Sequence, residues 1–104
     1  MLQEFEASYD ALSRALDIEP ENASAWYNRA LSARFLLRAG RALRDLEQAI
    51  KLEKDSQSRK IYQDELTLMR EVVQRQIEAR GPDATLDQLI EAQDAFWRGS
   101  GAVG

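Results

Sequence analysis

The sequence predicts an all-α protein, an antiparallel array of helical hairpins with about five helices. Apolar residues recur at helical spacing along nearly the whole chain. Helix breakers are few: the 104 residues include two prolines and five glycines, and three of these glycines lie in the last six residues. A short text also recurs at an offset of 34 residues, which is typical of stacked helical repeat units.

The first two predicted helices meet at a proline turn. The first helix is predicted over residues 1–19, and Pro20 ends it because proline cannot continue a helix. A second amphipathic helix begins at Ala23, in the stretch ASAW, and a third follows it as far as residue 54. Together these two helices make one hairpin.

The recurring text identifies the kind of repeat. It is LSRALDI from Leu12 and LEQAIKL from Leu46. The stretch from Ala23 to Ser56 resembles one tetratricopeptide repeat (TPR), a 34-residue unit of two helices. The residues that carry the resemblance are Trp26, Ala30, Ala42, Leu46, Ala49 and Leu52. The resemblance implies a TPR-like α-α superhelix, with one full repeat at 23–54 and the second helix of a partial repeat at 1–19.

Four positions depart from the family pattern. Arg29 stands for a leucine, Ala33 for a tyrosine, Leu37 for the glycine of the turn between the two helices, and Lys54 for the closing proline. Gly40 lies close enough to Leu37 to take over the turn, which would lengthen the first helix of the repeat by about three residues.

The repeat pattern fades after Ser56, and two further helices are predicted. A long capping helix over 57–80 has a continuous apolar stripe, formed by Tyr62, Leu66, Met69, Val73 and Ile77 and broadened by Ile61 and Val72. Gly81 and Pro82 end it, and a final helix over 85–98 begins with Thr85 and Gln88 in capping-box spacing. Residues 1–98 are predicted to form a single domain and 99–104 a disordered tail.

The composition narrows the function. The chain has no cysteine and no histidine, so thiolate catalysis, the usual general base and the commonest metal ligands are missing. We therefore expect no enzyme, no cofactor and no metal site. The net charge of −4 gives no reason to expect nucleic acid or a membrane as the partner. No segment has the length of a membrane span or the pattern of a signal peptide, so a cytoplasmic protein is expected.

The family resemblance implies a binding site. In that family the first helix of each repeat lines a concave groove, and the corresponding positions here are Ser24, Tyr27, Asn28, Leu31, Arg34 and Phe35. The predicted partner-binding residues are Tyr27, Asn28, Leu31, Arg34, Phe35 and Arg38. The aromatic rings would pack on a peptide, and an arginine would pair with a carboxylate. A clamp for a C-terminal carboxylate, known in the family, is disfavoured because Ser58 and Tyr62 stand at its basic positions. The alternative that some of these side chains are buried against neighbouring helices stays open.

Charge is segregated along the first half of the chain. Residues 23–44 contain five arginines and no acid, whereas residues 1–22 contain six acids and one arginine. The arginines form either a patch for an acidic partner or charges that neighbouring helices or copies offset, and we favour the second interpretation. The adjacent acids Asp64 and Glu65, and the pair Asp83 and Asp87, are interpreted as solvated surface rather than acid–base groups.

These patterns predict a protein–protein interaction scaffold, the C-terminal part of a longer TPR protein, which binds a protein or peptide segment in a concave groove. The alternative is a homo-oligomerisation domain, in which the apolar faces of 5–12 or 62–77 pair between copies. The apolar side of the first helix needs a cover. Preceding repeats, a second copy, or the two late helices folding back would each supply it.

Overall fold

The computed structural model describes the backbone of residues 2–103 and the side chains of residues 2–97. In that range the elements are α1 (Leu2–Ile18), α2 (Ala23–Phe35), α3 (Ala39–Leu52), α4 (Ser56–Arg80) and α5 (Leu86–Val103). The all-α prediction is therefore confirmed. The sequence places the end of the last helix at 98, whereas α5 continues to Val103, and Gly104 lies outside the described residues. No helix of residues 2–103 combines the length and apolarity that crossing a bilayer requires.

Helices α1 and α2 pack antiparallel. Phe5 stacks on Phe35, with ring centroids 4.6 Å apart, and further along α1 the hydroxyl of Ser13 accepts a hydrogen bond from Arg29. Contacts therefore move backwards along α2 as they advance along α1. The turn between them is closed by Asn22, whose side chain accepts the amide hydrogen of Ala25, as the N-cap preference for asparagine predicts.

The turn between α2 and α3 lies earlier than predicted. Helix α2 ends at Phe35, and Leu37 takes the turn in the left-handed conformation with φ +60°. The prediction that Gly40 makes this turn is wrong. Gly40 lies in the first turn of α3, where an added Cβ would be 2.6 Å from Cγ1 of Ile90, so its missing side chain lets α5 approach closely.

The core lies between α2, α3 and α4. Ala33, Ala42 and Ala49 are fully buried, so small side chains occupy the crossing where two backbones approach, and the larger Leu46 is fully buried as well. The predicted stripe of α4 faces this core, because its Tyr62, Met69 and Val73 are buried.

Helix α5 folds back onto α3 and runs antiparallel to it. The indole of Trp97 donates to the carbonyl of Leu36, and the backbone N–H of Gly40 donates to Gln93 at 3.0 Å. The predicted capping box is present, since Thr85 and Gln88 exchange side chain to backbone hydrogen bonds of 3.0 and 3.2 Å. The last helix therefore covers α3.

Candidate protein-binding face

Helices α2 and α4 lie side by side and form one face. Two contacts join them. The ring of Tyr27 stacks on that of Tyr62, with centroids 4.4 Å apart, and Arg34 Nη1 donates to Glu65 Oε2 at 2.6 Å. Since both contacts advance in the same direction along the two helices, α2 and α4 run parallel here. We call the surface formed by these two helices the α2–α4 face.

Five of the six predicted partner-binding residues belong to this face. Their spacing of three and four residues puts them on one side of α2: Tyr27, Asn28, Leu31, Arg34 and Phe35. Asn28 and Phe35 are exposed and Leu31 is half-buried. Burial raises the pKa of Tyr27, the negative charge of Glu65 adds to this rise, and Arg34 opposes it, so the phenol stays protonated at neutral pH.

Arg38 is the exception among the six. Its side chain is 17% exposed, its Nη2 lies 2.7 Å from Oδ1 of Asp94, and its guanidinium lies over the ring of Tyr9. Since α5 supplies the acid and α1 the ring, Arg38 faces away from the α2–α4 face. The structure does not bring it together with the other five.

Helix α4 contributes an exposed apolar stripe that the sequence analysis did not separate from the core. Ile61 and Leu68 are each 55% exposed and Val72 is 37% exposed. With Glu65 they stand at spacings of four, three and four, which places them in one row on the helix. Because Glu65 binds Arg34 of α2, this row lies at the edge of α4 that borders α2. We call Ile61, Leu68 and Val72 the α4 stripe.

The signal for this stripe was present in the sequence. The sequence analysis assigns Ile61 and Val72 to the stripe centred on Met69. They belong to a second row, and each of its members stands one residue before a member of the first row, so the two rows are about 100° apart around the helix. A helix with two adjacent apolar rows buries one against its own core and leaves the other for a separate contact.

The apolar surface extends from α2 towards α1. Phe35 is 49% exposed although it stacks on Phe5, and Leu2, one turn before Phe5, is exposed as well. Exposed large apolar groups from three helices therefore border the same region, which is the pattern of an interaction surface rather than of scattered surface residues.

The five arginines of residues 23–44 are each paired with an acid of another helix. The ion pairs are Arg29–Asp45, Arg34–Glu65, Arg38–Asp94, Arg41–Asp94 and Arg44–Asp87. The interpretation that neighbouring helices offset this charge is confirmed. The segment that looks most cationic in the sequence is therefore largely neutralised within the chain.

The two most enclosed of these acids respond differently to their surroundings. Burial raises the pKa of Asp45 above its ordinary value and outweighs the hydrogen bonds from Arg29. Burial acts in the same direction on Asp94, but the hydrogen bonds from Arg41 and Arg38 outweigh it, so the pKa of Asp94 lies below its ordinary value. Hydrogen bonds from two arginines thus offset the burial of Asp94, whereas those from Arg29 do not fully offset the burial of Asp45.

Arg29 bonds to a charged partner on the neighbouring helix. Its guanidinium binds Asp45 through two hydrogen bonds of 2.9 and 2.8 Å and lies over the rings of Tyr9 and Trp26. Arg29 and Asp45 lie equally far from the turn at Leu37, on the two antiparallel helices. An ion pair therefore occupies this position, where the TPR pattern that the hairpin resembles has a leucine.

The carboxylate pairs considered in the sequence do not converge on a common point. Asp64 binds Lys60 at 3.2 Å, whereas Glu65 binds Arg34 of α2. Asp87 binds Arg44. Among the described side chains no group of three acids is placed to hold a metal ion.

The faces expected to pair between copies are used inside the chain. Tyr62, Met69 and Val73 are buried in the core, and Phe5 packs against the same cluster.

Comparisons with models of protein families, with curated proteins and with solved structures found no significant match.

Proposed function

We propose that this chain is a protein–protein interaction module of the TPR kind, without chemistry of its own, and that the α2–α4 face binds an apolar segment of a partner. The observation that carries the proposal is the α4 stripe, in which Ile61, Leu68 and Val72 stay exposed along the edge of α4 that Glu65 joins to Arg34 of α2. Large aliphatic side chains at helical spacing on a surface are characteristic of helix-in-groove recognition.

The charges of this face favour an apolar partner over an acidic one. Arg34 is the arginine among the five face residues of α2, and it is already bound to Glu65 at 2.6 Å. An acidic peptide would have to compete with that carboxylate for the guanidinium and would leave Glu65 without its partner. An aliphatic side chain pays no such penalty on the α4 stripe.

The face is held in place before any partner arrives. The stack of Tyr27 on Tyr62 joins the two helices at one point, and the bond from Arg34 to Glu65 joins them again about two turns further along α2 and one turn further along α4. Helix α5 packs on α3, and among the described side chains no hydrogen bond or ion pair joins it to the five face residues of α2. Because rigid helices present the contact groups, little conformational entropy is lost on binding.

Selection from a displayed library of amphipathic helices tests this proposal. We expect the recovered helices to bind the wild-type protein. Their affinity for the single variants Asn28→Lys and Ile61→Lys should be at least about tenfold lower, because each change puts an ammonium group into the apolar contact. Ile18→Lys is the matched control, because Ile18 is exposed on α1. Binders that tolerate the first two changes, or a library that yields no binder, would refute the proposal.

A further inference from the structure

The α4 stripe continues in a regular order towards the end of the helix. Four residues after Leu68 comes Val72, and the same row reaches Arg75 and Ala79, both exposed. The six positions 61, 65, 68, 72, 75 and 79 alternate in steps of four and three, which is the spacing of the contact residues in a two-helix coiled coil. The row is roughly 27 Å long at the rise of an α-helix.

We propose that the partner of this face is a second copy of the chain, whose α4 pairs antiparallel with α4 of the first copy along this row. The inference rests on the proposed function, because it names the apolar helix that the α2–α4 face binds. The resulting dimer would have a twofold axis level with Arg70, and both copies would use the same surface.

The order of residues in the row fits antiparallel pairing. Residues whose numbers add to 140 then face each other: Leu68 meets Val72 of the second copy, and Ile61 meets Ala79 of the second copy. Glu65 meets Arg75 of the second copy, so both charged positions find an opposite charge. Parallel pairing would place Glu65 against Glu65 and Arg75 against Arg75, and like charges in contact disfavour it.

The two charged groups have the bonding capacity that this pairing needs. Glu65 accepts from Arg34 through Oε2, while its Oε1 accepts no hydrogen bond from the described side chains. Arg75 is exposed and makes no ion pair with any described side chain. Glu65 would therefore bridge Arg34 of its own chain and Arg75 of the other copy.

Like charges meet along one edge of the proposed dimer. Glu71 lies beside the row, one residue from the twofold axis, so it would approach Glu71 of the second copy. On the same edge Asp64, which is bound to Lys60, would approach Glu78 of the second copy. We therefore expect Glu71→Gln to strengthen the dimer about two- to threefold, as relief of one exposed like-charge contact does.

Sedimentation equilibrium of the complete chain tests the dimer. The row exposes few aliphatic side chains per copy, so a weak, concentration-dependent dimer is expected rather than a permanent one. Leu68→Lys should abolish it or weaken it more than about tenfold. The matched control Ile18→Lys should leave it unchanged, and both variants should keep the helix content of the wild type, because both sites are exposed.

Cysteine cross-linking tests the direction of pairing. Because the chain contains no cysteine, each introduced thiol is the one that reacts. An equal mixture of Ile61→Cys and Ala79→Cys should be joined by a short thiol cross-linker, whereas neither variant should be joined to itself. Efficient joining of Ala79→Cys alone would mean parallel pairing and would overturn the proposal.

The outcomes separate this inference from the function on which it rests. A chain that stays monomeric at all concentrations, or a dimer that Leu68→Lys does not weaken, overturns the second copy as the partner. If such a chain still binds library helices through Asn28 and Ile61, the face is an interaction site for a foreign helix. If neither self-association nor helix binding occurs, both proposals fail.

Discussion

Replacing Leu37 with glycine is expected to relieve backbone strain at the turn between α2 and α3. Leu37 has φ +60°, a region that costs an L-residue about 1–2 kcal/mol, whereas glycine enters it freely. The side chain is 73% exposed, so it gains little from packing in return. The TPR family, which this hairpin resembles, has glycine at this position.

The magnitude is clearest when Leu37→Gly is compared with Leu37→Ala. Both variants lose the same small contact area, but only glycine removes the strain of about 1.5 kcal/mol. Glycine also lowers the free energy of unfolding by about 0.7 kcal/mol, because it increases the entropy of the unfolded chain. Leu37→Gly should therefore be more stable than Leu37→Ala by about 0.8 kcal/mol. That difference corresponds to roughly 3–6 °C in Tm for a domain of this size.

Urea unfolding of the two variants and the wild type, followed by circular dichroism, measures this difference. The sign carries the test, because at an ordinary helical site alanine is the more stable residue by about 0.5–1 kcal/mol. A Leu37→Ala variant equal to or more stable than Leu37→Gly would show that the turn does not hold this residue in the left-handed conformation, and the reasoning would be refuted.

Three further predictions concern the contacts that join the helices. Gly40→Ala should lower the free energy of unfolding by about 1 kcal/mol in urea titrations, since the clash of the new methyl group with Ile90 outweighs the better helix propensity of alanine. Asp45→Ala should cost about 3 kcal/mol by leaving the largely buried guanidinium of Arg29 without its carboxylate, whereas replacing both residues with leucine should recover most of that loss. Because the pKa of Asp94 is lowered in the folded state, its contribution is present above the unfolded value near pH 3.9 and is lost as the pH falls through the folded pKa. Asp94→Asn should therefore destabilise the protein at pH 7 and flatten the decline of stability below about pH 4.

Each of these predictions has a result that would contradict it. A Gly40→Ala variant more stable than the wild type would mean that α5 does not approach α3 closely at this point. A double leucine variant no better than Asp45→Ala would mean that the ion pair contributes more than its burial costs. If the stability of the wild type and of Asp94→Asn declined equally below about pH 4, protonation of Asp94 would not be the cause of that decline.

The sequence predicts the helices well because their signals are local. Pro20, the capping box at Thr85 and the breakers Gly81 and Pro82 act on their immediate neighbours, and the elements they delimit begin and end close to the predicted residues. The turn at Leu37 was missed because propensity favours glycine there. Gly40 instead allows the close approach of α5, through a contact with Gln93, 53 residues later in the chain.

The candidate site was predicted on one side only. Family resemblance supplied the α2 residues, since their positions follow from the repeat register. The α4 stripe was absorbed into the neighbouring core stripe, because spacing alone does not say which of two adjacent rows faces the interior. Arg38 was misplaced for a related reason: the position of Asp94 depends on how α5 folds back, and no local pattern reports it.

The docking of α5 makes this array different from a linear stack of repeats. In such a stack each unit touches only its neighbours, and ends can open while the middle stays folded. Here the indole of Trp97 donates a hydrogen bond to the carbonyl of Leu36, 61 residues earlier, so α5 is fastened to the hairpin of α2 and α3. Fraying from the C-terminal end must first break that fastening, and calorimetry should accordingly record one cooperative heat-absorption peak rather than successive melting of individual hairpins.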